Sequence, residues 1–290
     1  MNFFEREAST PSTLLAKLRS VCSGFPYHDY SLPTIYCYKD YPKLLVKDAL
    51  RIEENGISIN PSPKRREYYF FSTPSAKVLN QKLEEGFRCT VPSKLEGMPG
   101  ATKRVEPVYE LAKVFDPATY PNAKKRHQRI RYPFSFLEKE KLYIGDILPE
   151  ETEAAVQLHD RWIAAKIADP KVHQHSLASS RYRRCVVLSL QIPYDTRRYG
   201  VWDESGRLLA VRIVGVQKRS AFDLAFFGDY DALPSQSMEY INVAIMRKLF
   251  DEGVATLNAG LSAEAKLKTF KNHYPCFDLI SYQYKKEKTK

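Results

Sequence analysis

The stretch YPNAKKRHQRIRYPF, Tyr120 to Phe134, places Lys124, Lys125, Arg126, Arg129 and Arg131 within eight consecutive positions. A helix over 121–131 would have only Ala123 and Ile130 as apolar residues, so it could not bury a stripe as a core helix does. Some polar partner or plain solvent must meet basic groups at this density. Further basic clusters extend the field: Lys64, Arg65 and Arg66 beside Tyr68 and Tyr69; Arg181, Arg183 and Arg184; Arg197 and Arg198; Lys218 and Arg219. Basic side chains interleaved with aromatics suit phosphate contact plus base stacking, and scattered solubilising charge is the plainer alternative. Other chemistries find less support. His173 and His175 in KVHQH could sketch a metal site with His159, but no Cys or carboxylate stands at ligand spacing, so no metal is expected. No G-x-S-x-G occurs to suggest a serine hydrolase.

The chain of 290 residues, 43% hydrophobic, is long enough for two compact domains, read here as residues 1–135 and 136–290. Residues 1–132 hold 22 basic against 14 acidic side chains, so most of the net charge of +11 lies in the first half. Such a field favours polyanions or an acidic membrane surface. Cys22, Cys37, Cys89, Cys185 and Cys276 are odd in number and lack a C-x-x-C pair, which argues against a disulfide framework and a zinc ribbon. Glu5 and Glu7 stand where a signal peptide needs an apolar run, and no window approaches the roughly 18 apolar residues of a membrane span. A cytoplasmic protein without integral membrane association is the expectation.

Stepping along the chain, an order of elements appears twice. Residues 50–61 read as strand, Asn-Gly turn, strand; a basic and aromatic stretch at 64–72, a helix at 75–86 and a strand at 87–91 follow. In the second half 199–215 reads as strand, Ser-Gly turn, strand; then come a basic and aromatic strand at 217–229, a helix at 237–253 and a strand at 254–258. Gly56 pairs with Gly206, Phe70-Phe71 with Phe226-Phe227, and Glu85-Gly86 with Glu252-Gly253, at offsets of 150, 156 and 167. The loops differ in length while the order holds, as in an internal duplication. A helix at 149–168 and an apolar segment at 183–190 precede the second hairpin; a helix starting at Ser262 and a strand at 277–286 close the chain.

The second-half order, strand, two helices, three strands, helix, strand, helix, strand, resembles that of Gcn5-related acyltransferases, whose ligand site opens where two central strands splay apart. Two stretches sharpen this. Residues 107–136, PVYELAKVFDPATYPNAKKRHQRIRYPFSF, resemble a segment of the C-terminal domain of bacterial phosphatidylglycerol lysyltransferases, in which a short helix leads into a basic helix ending in an aromatic; the matching basic residues are Lys124, Lys125, Arg126 and Arg129, and the resemblance implies that they contact tRNA, DNA or nucleotide phosphates. Residues 257–275, LNAGLSAEAKLKTFKNHYP, are similar to the strand, glycine and helix with a Phe-Lys pair in that family and in FemABX-type aminoacyl transferases; here the pair is Phe270-Lys271. The resemblance implies an α/β fold of tandem Gcn5-related units, with mixed sheets flanked by helices. It implies transfer of an acetyl or aminoacyl group to an amine, with acetyl-CoA or aminoacyl-tRNA as donor.

Acyl transfer to an amine requires a base, donors for the developing oxyanion and an acid for the leaving group. The candidates are Asp223, on the strand lining the implied cleft, Glu239 and Tyr240 at the next helix start, and Asn258 at the end of the adjacent strand. Ser262, Phe270 and Lys271 complete the expected substrate contacts, although Glu239 and Ser262 also suit a helix start for reasons unrelated to chemistry. The junction GDYDALPSQSMEY, 228–240, lacks the glycine-rich loop that holds pyrophosphate in acetyl-CoA-dependent members, and carries Asp229 and Asp231 instead. The acceptor stays open between an aminated base in phage DNA and a lipid, peptide or cell-wall precursor. A non-catalytic nucleic-acid-binding protein on the same fold is the alternative from another class.

Overall fold

The computed structural model describes residues 11–22, 49–62, 65–120, 122–168, 183, 186–189, 196–234, 236–260 and 273–286. Helix α1 (Pro11–Cys22) precedes the first sheet strands. The hairpin of β1 (Leu50–Glu53) and β2 (Gly56–Ser62) forms where the Asn-Gly signal stands, and β3 (Arg65–Phe70) joins it antiparallel. Helix α2 (Ala76–Glu84), capped by the Ser75 hydroxyl, crosses over to β4 (Arg88–Val91), which runs parallel to β3. Gly86, at φ 85°, ends that helix in the left-handed region a side chain rarely adopts.

The second half repeats this arrangement. Strands β7 (Thr196–Trp202), β8 (Leu208–Gln217) and β9 (Ser220–Gly228) form an antiparallel meander. Helix α7 (Ser237–Asp251) then crosses to β10 (Thr256–Asn258), parallel to β9. Between the halves lie β5 (Thr102–Glu110), α3 (Leu111–Phe115), α4 (Ala123–Arg126), a π-helical turn (His127–Arg131), α5 (Tyr132–Lys139), the edge strand β6 (Tyr143–Asp146) and α6 (Thr152–Ala168). The final strand is β11 (Cys276–Tyr284).

The eleven strands among the described residues form one mixed sheet in the order β1-β2-β3-β4-β11-β5-β10-β9-β8-β7-β6. Strand β5 follows β4 in the chain but pairs with β10, and β11 follows β10 but pairs with β4. The two displaced strands also pair with each other along eight residues, from Cys276 opposite Tyr109 to Gln283 opposite Thr102. Each half therefore places a strand beside the other's parallel pair.

Strand β8 is buried on both faces over its first eight residues, which is why LLAVRIVG reads as a continuous apolar run interrupted only by Arg212. One face packs Leu209, Ala210 and Val214 under Ile241, Ile245 and Leu249 of α7, with Leu111 and Phe136 from α3 and α5. The opposite face packs Val211, Ile213 and Phe227 against Ala155, Val156 and Leu158 of α6. A smaller core joins Tyr68, Phe70, Leu79, Leu83 and Cys89 of the first half to Tyr284 of β11. Gly228 is required where α7 closes on the sheet, because an added Cβ would lie 2.8 Å from Met238 Sδ and 3.1 Å from the Leu209 carbonyl.

His159 sits in the α6 face at 1% exposure, edge-on to Phe227 at 5.3 Å and beside Trp162 at 5.8 Å. Its Nδ1 lies 3.2 Å from Asp160, but Nε2 is buried without a hydrogen-bond partner among the described residues. Burial holds the imidazole below its ordinary value of 6.5, against the pull of Asp160. The unfolded chain thus takes up the proton first, so this contribution to stability is full above pH 6.5 and is lost as pH falls through the folded value. Urea midpoints measured between about pH 7.5 and about pH 5 should fall less steeply for His159→Leu than for the unaltered chain.

Candidate active site at the fork between β9 and β10

The parallel pair β9-β10 is short. It is in register only from Ser220–Thr256 to Phe222–Asn258; β9 then runs on to Gly228, paired with β8. Asp223 and Asn258 stand at this fork, as the sequence suggested. A bulge reinforces the divergence: Ile213 opposes Ala225 and Val214 opposes Asp223, leaving Leu224 as the extra residue.

The Asp223 carboxylate accepts from Arg212 at 3.3 Å through each oxygen. Arg212 is 1% exposed; its guanidinium also donates to the side-chain oxygen of Asn242 and, at 3.4 Å, to its carbonyl, and lies 5.0 Å from the centre of the Phe226 ring. One cation thus ties β8, β9 and α7 together. On the other side of the fork, Asn258 donates to Glu106 of β5 at 2.8 Å and accepts from the Gly260 amide at 2.8 Å. Glu106 is 1% exposed and so is held as a buried acceptor. Tyr109, also on β5, has its phenol pushed up by burial and by Asp223, against the lowering effect of Arg212.

One turn before Asn242, Glu239 gathers a second cluster. Its Oε1 accepts from the Arg129 guanidinium, from His273 Nδ1 at 3.2 Å and from the Tyr274 hydroxyl at 3.3 Å. Arg129 also lies 5.2 Å from the centre of the Tyr274 ring, and burial together with Glu239 pushes that phenol up. Thus two of the expected residues, Arg129 of the basic stretch and Glu239 of α7, are brought into direct contact across 110 positions of sequence. Tyr240 turns away: its hydroxyl donates to Gln236 at 2.9 Å, and its ring packs on Phe136 at 4.7 Å and on Tyr132 at 5.1 Å. Lys124, Lys125 and Arg126 do not reach the cluster. Every residue from Asn122 to Gln128 is exposed, and among the described residues these three cations meet no carboxylate.

Ser262, Phe270 and Lys271 lie outside the described residues. Arg212, Asn242, Glu106, His273 and Tyr274 were not expected from sequence. Arg212 interrupts an apolar run, which was the available signal for a buried cation, whereas HY at 273–274 carries no spacing cue. Among the described residues no group of three His, Cys, Asp or Glu side chains could hold a metal ion, and no helix is long and apolar enough to cross a membrane.

Several polar groups of the junction before α7 are engaged within the chain. Asp229 is engaged with Arg207 at 2.6 Å and with the Ala232 amide at 3.2 Å. The Ser237 and Glu239 amides already donate to the carbonyls of Pro234 and Gln236 at 3.1 and 3.0 Å, and that of Tyr240 shares the Gln236 carbonyl at 3.4 Å.

With this geometry in view, the solved structures define the fold. A conserved protein of unknown function from Bacteroides thetaiotaomicron superposes with a TM-score of 0.67 at 12% identity, covering 93% of this chain and 96% of the other. The C-terminal domain of a putative lysylphosphatidylglycerol synthetase from Agrobacterium fabrum gives 0.57 at 12% identity, with coverage of 96% and 93%. FemX gives 0.55 at 10% identity, with coverage of 94% and 96%. The α/β architecture, a large mixed sheet flanked by helices, is therefore the one the two sequence motifs implied. No family profile matches the chain, and no curated protein matches it in sequence.

Removing one member of the Arg212–Asp223 pair leaves the other charge buried. Arg212→Met should cost about 3 kcal/mol in urea unfolding, and Asp223→Asn introduced on that background should recover part of it.

Proposed function

We propose that this chain is an acyltransferase that passes an aminoacyl group from aminoacyl-tRNA to an amine, built from two copies of one acyltransferase-like unit, residues 1–135 and 136–290. The observation that carries the reading is the fork itself: parallel strands part at Phe222 and Asn258, with Asp223 at the opening and Glu239 on the helix that follows β9. The duplication is supported by the repeated order of three antiparallel strands, helix and parallel strand in each half.

In this mechanism Glu239 accepts the proton of the attacking ammonium, with His273 at 3.2 Å to pass it on. The freed amine attacks the acyl carbonyl, a tetrahedral oxyanion forms, and its collapse breaks the ester while the ribose oxygen takes up a proton. The Asn258 side-chain amide, which also donates to Glu106, is the candidate donor to the oxyanion. Tyr240, packed and bonded away from Glu239, positions the helix start rather than moving a proton.

The donor is chosen on two grounds. At the start of α7 the Ser237, Glu239 and Tyr240 amides are engaged and a carboxylate stands in the first turn, which suits the pyrophosphate of CoA poorly. The exposed turn with Lys124, Lys125 and Arg126 suits a polyanion, and a helical turn exposed all round gains its support from a partner rather than from the core. The same turn supports a second reading, in which the nucleic acid is the acceptor, such as an aminated base in phage DNA, and acetyl-CoA is the donor.

The test is transfer of labelled aminoacyl groups from a pooled aminoacyl-tRNA preparation to amine-containing cell extract, alongside calorimetric titration with acetyl-CoA. We expect transfer that falls at least about 100-fold in Glu239→Gln with tRNA binding retained, and no saturable heat with acetyl-CoA. Saturable acetyl-CoA binding near one equivalent would transfer the case to the second reading; tRNA binding without turnover in any form would leave a binding protein. Replacing Lys124, Lys125 and Arg126 together with Ala should make the dependence of log K on log salt shallower by roughly two units.

A further inference from the structure

Three hydrogen-bond donors on two separate segments converge on one oxygen of this chain. Arg129, His273 and Tyr274 all address Oε1 of Glu239. A carboxylate oxygen offers two lone pairs, so three donors exceed what it can accept in good geometry. A group with several oxygens would distribute them better. Arg129, His273 and Glu239 are reachable, keeping 30%, 32% and 19% of their side-chain surface exposed, while Tyr274, 3% exposed, contributes from the buried side of the cluster. Arg129 lies in the middle of the π-helical turn His127–Arg131, a local widening of the helix that recurs at functional sites.

We propose that Arg129, His273 and Tyr274 form a receptor for a phosphate group, and that the Glu239 carboxylate occupies it as an internal stand-in until a phosphorylated ligand arrives. This rests on the reading of Glu239 as the proton acceptor, and it deepens that reading. While Arg129 holds Glu239, the carboxylate is engaged with the guanidinium rather than with a ligand. A phosphate spreads its charge over three oxygens, offers the guanidinium a bidentate partner, and gives His273 and Tyr274 an oxygen each. Its arrival releases Glu239 from the arginine beside the bound ligand. Glu239 is thereby free of the guanidinium when the site is filled and held by it when the site is empty. The phosphate could belong to the nucleotide end of the donor or to a phosphorylated acceptor.

Calorimetric titration of the full chain at fixed ionic strength separates these cases, using inorganic phosphate, adenosine 5′-monophosphate and glycerol 3-phosphate as probes. Glu239→Gln empties the receptor of its competing charge, so it should bind at least one probe about tenfold more tightly than the unaltered chain. Adding Arg129→Ala to that variant should abolish the gain. Tighter binding of the adenosine nucleotide assigns the receptor to the donor's carrier; tighter binding of glycerol phosphate assigns it to the acceptor. Equal or weaker binding by Glu239→Gln, or a gain that survives loss of Arg129, overturns the proposal. Tyr274→Phe keeps the ring and supplies an independent check: weaker phosphate binding supports the receptor and unchanged binding counts against it. Turnover plays no part in these titrations. If the transferase reading fails, turnover is absent while the phosphate response remains, and if the receptor fails, turnover is unaffected by these binding results.

Discussion

A guanidinium withdrawn from water must find partners for its charge and its five N–H groups, and the partners that Arg212 finds define the geometry of the fork. They come from two elements, Asp223 on β9 and Asn242 on α7, which the guanidinium joins to its own strand β8. The helix is thereby registered against the sheet at the level where β9 loses its parallel neighbour. Glu239 lies three residues before Asn242 on that helix, so the position of the candidate base is inherited from the buried cation. The aromatic packing of Tyr240 on Phe136 and Tyr132 holds the same helix end from the outside.

Two kinds of electrostatic contact stand within a few residues of each other, and burial distinguishes their roles. Arg212 is sealed, so its ion pair is a fixed part of the framework. Arg129 is nearly one-third exposed, and water can compete for both members of its pair with Glu239. A fixed cation and an exchangeable one serve one helix.

Much of the second half could be read from sequence because its strands and helix follow simple patterns. The apolar run of β8, the turn at Gly206 and the apolar stripe of α7 each announce one kind of element. Asp223, Glu239 and Asn258 could be placed near the cleft once that order was known. Strand β5 was not anticipated: TKRVEPVYE contains charges and a proline, and its Glu106 reads as a surface residue although Asn258 holds it in the interior. Arg212 was passed over for the same reason, because a charge within a strand suggests a solvent-facing position. His273 and Tyr274 were invisible since their meaning arises from Arg129, 144 residues earlier, and from a helix start that only the folded chain places between them.

The exchange of β5 and β11 also governs how the sheet can be assembled. A chain emerging in order makes β4 early, but the strand that flanks β4 is the last of the eleven. The seam between the halves is therefore closed at the end, by a nine-residue segment inserting between two edges that are already formed. Until then β4 and β5 each present an unpaired backbone edge of the kind that other extended chains can join. Long-range pairing of this kind slows folding, but it leaves neither half able to peel away without disrupting the other's sheet.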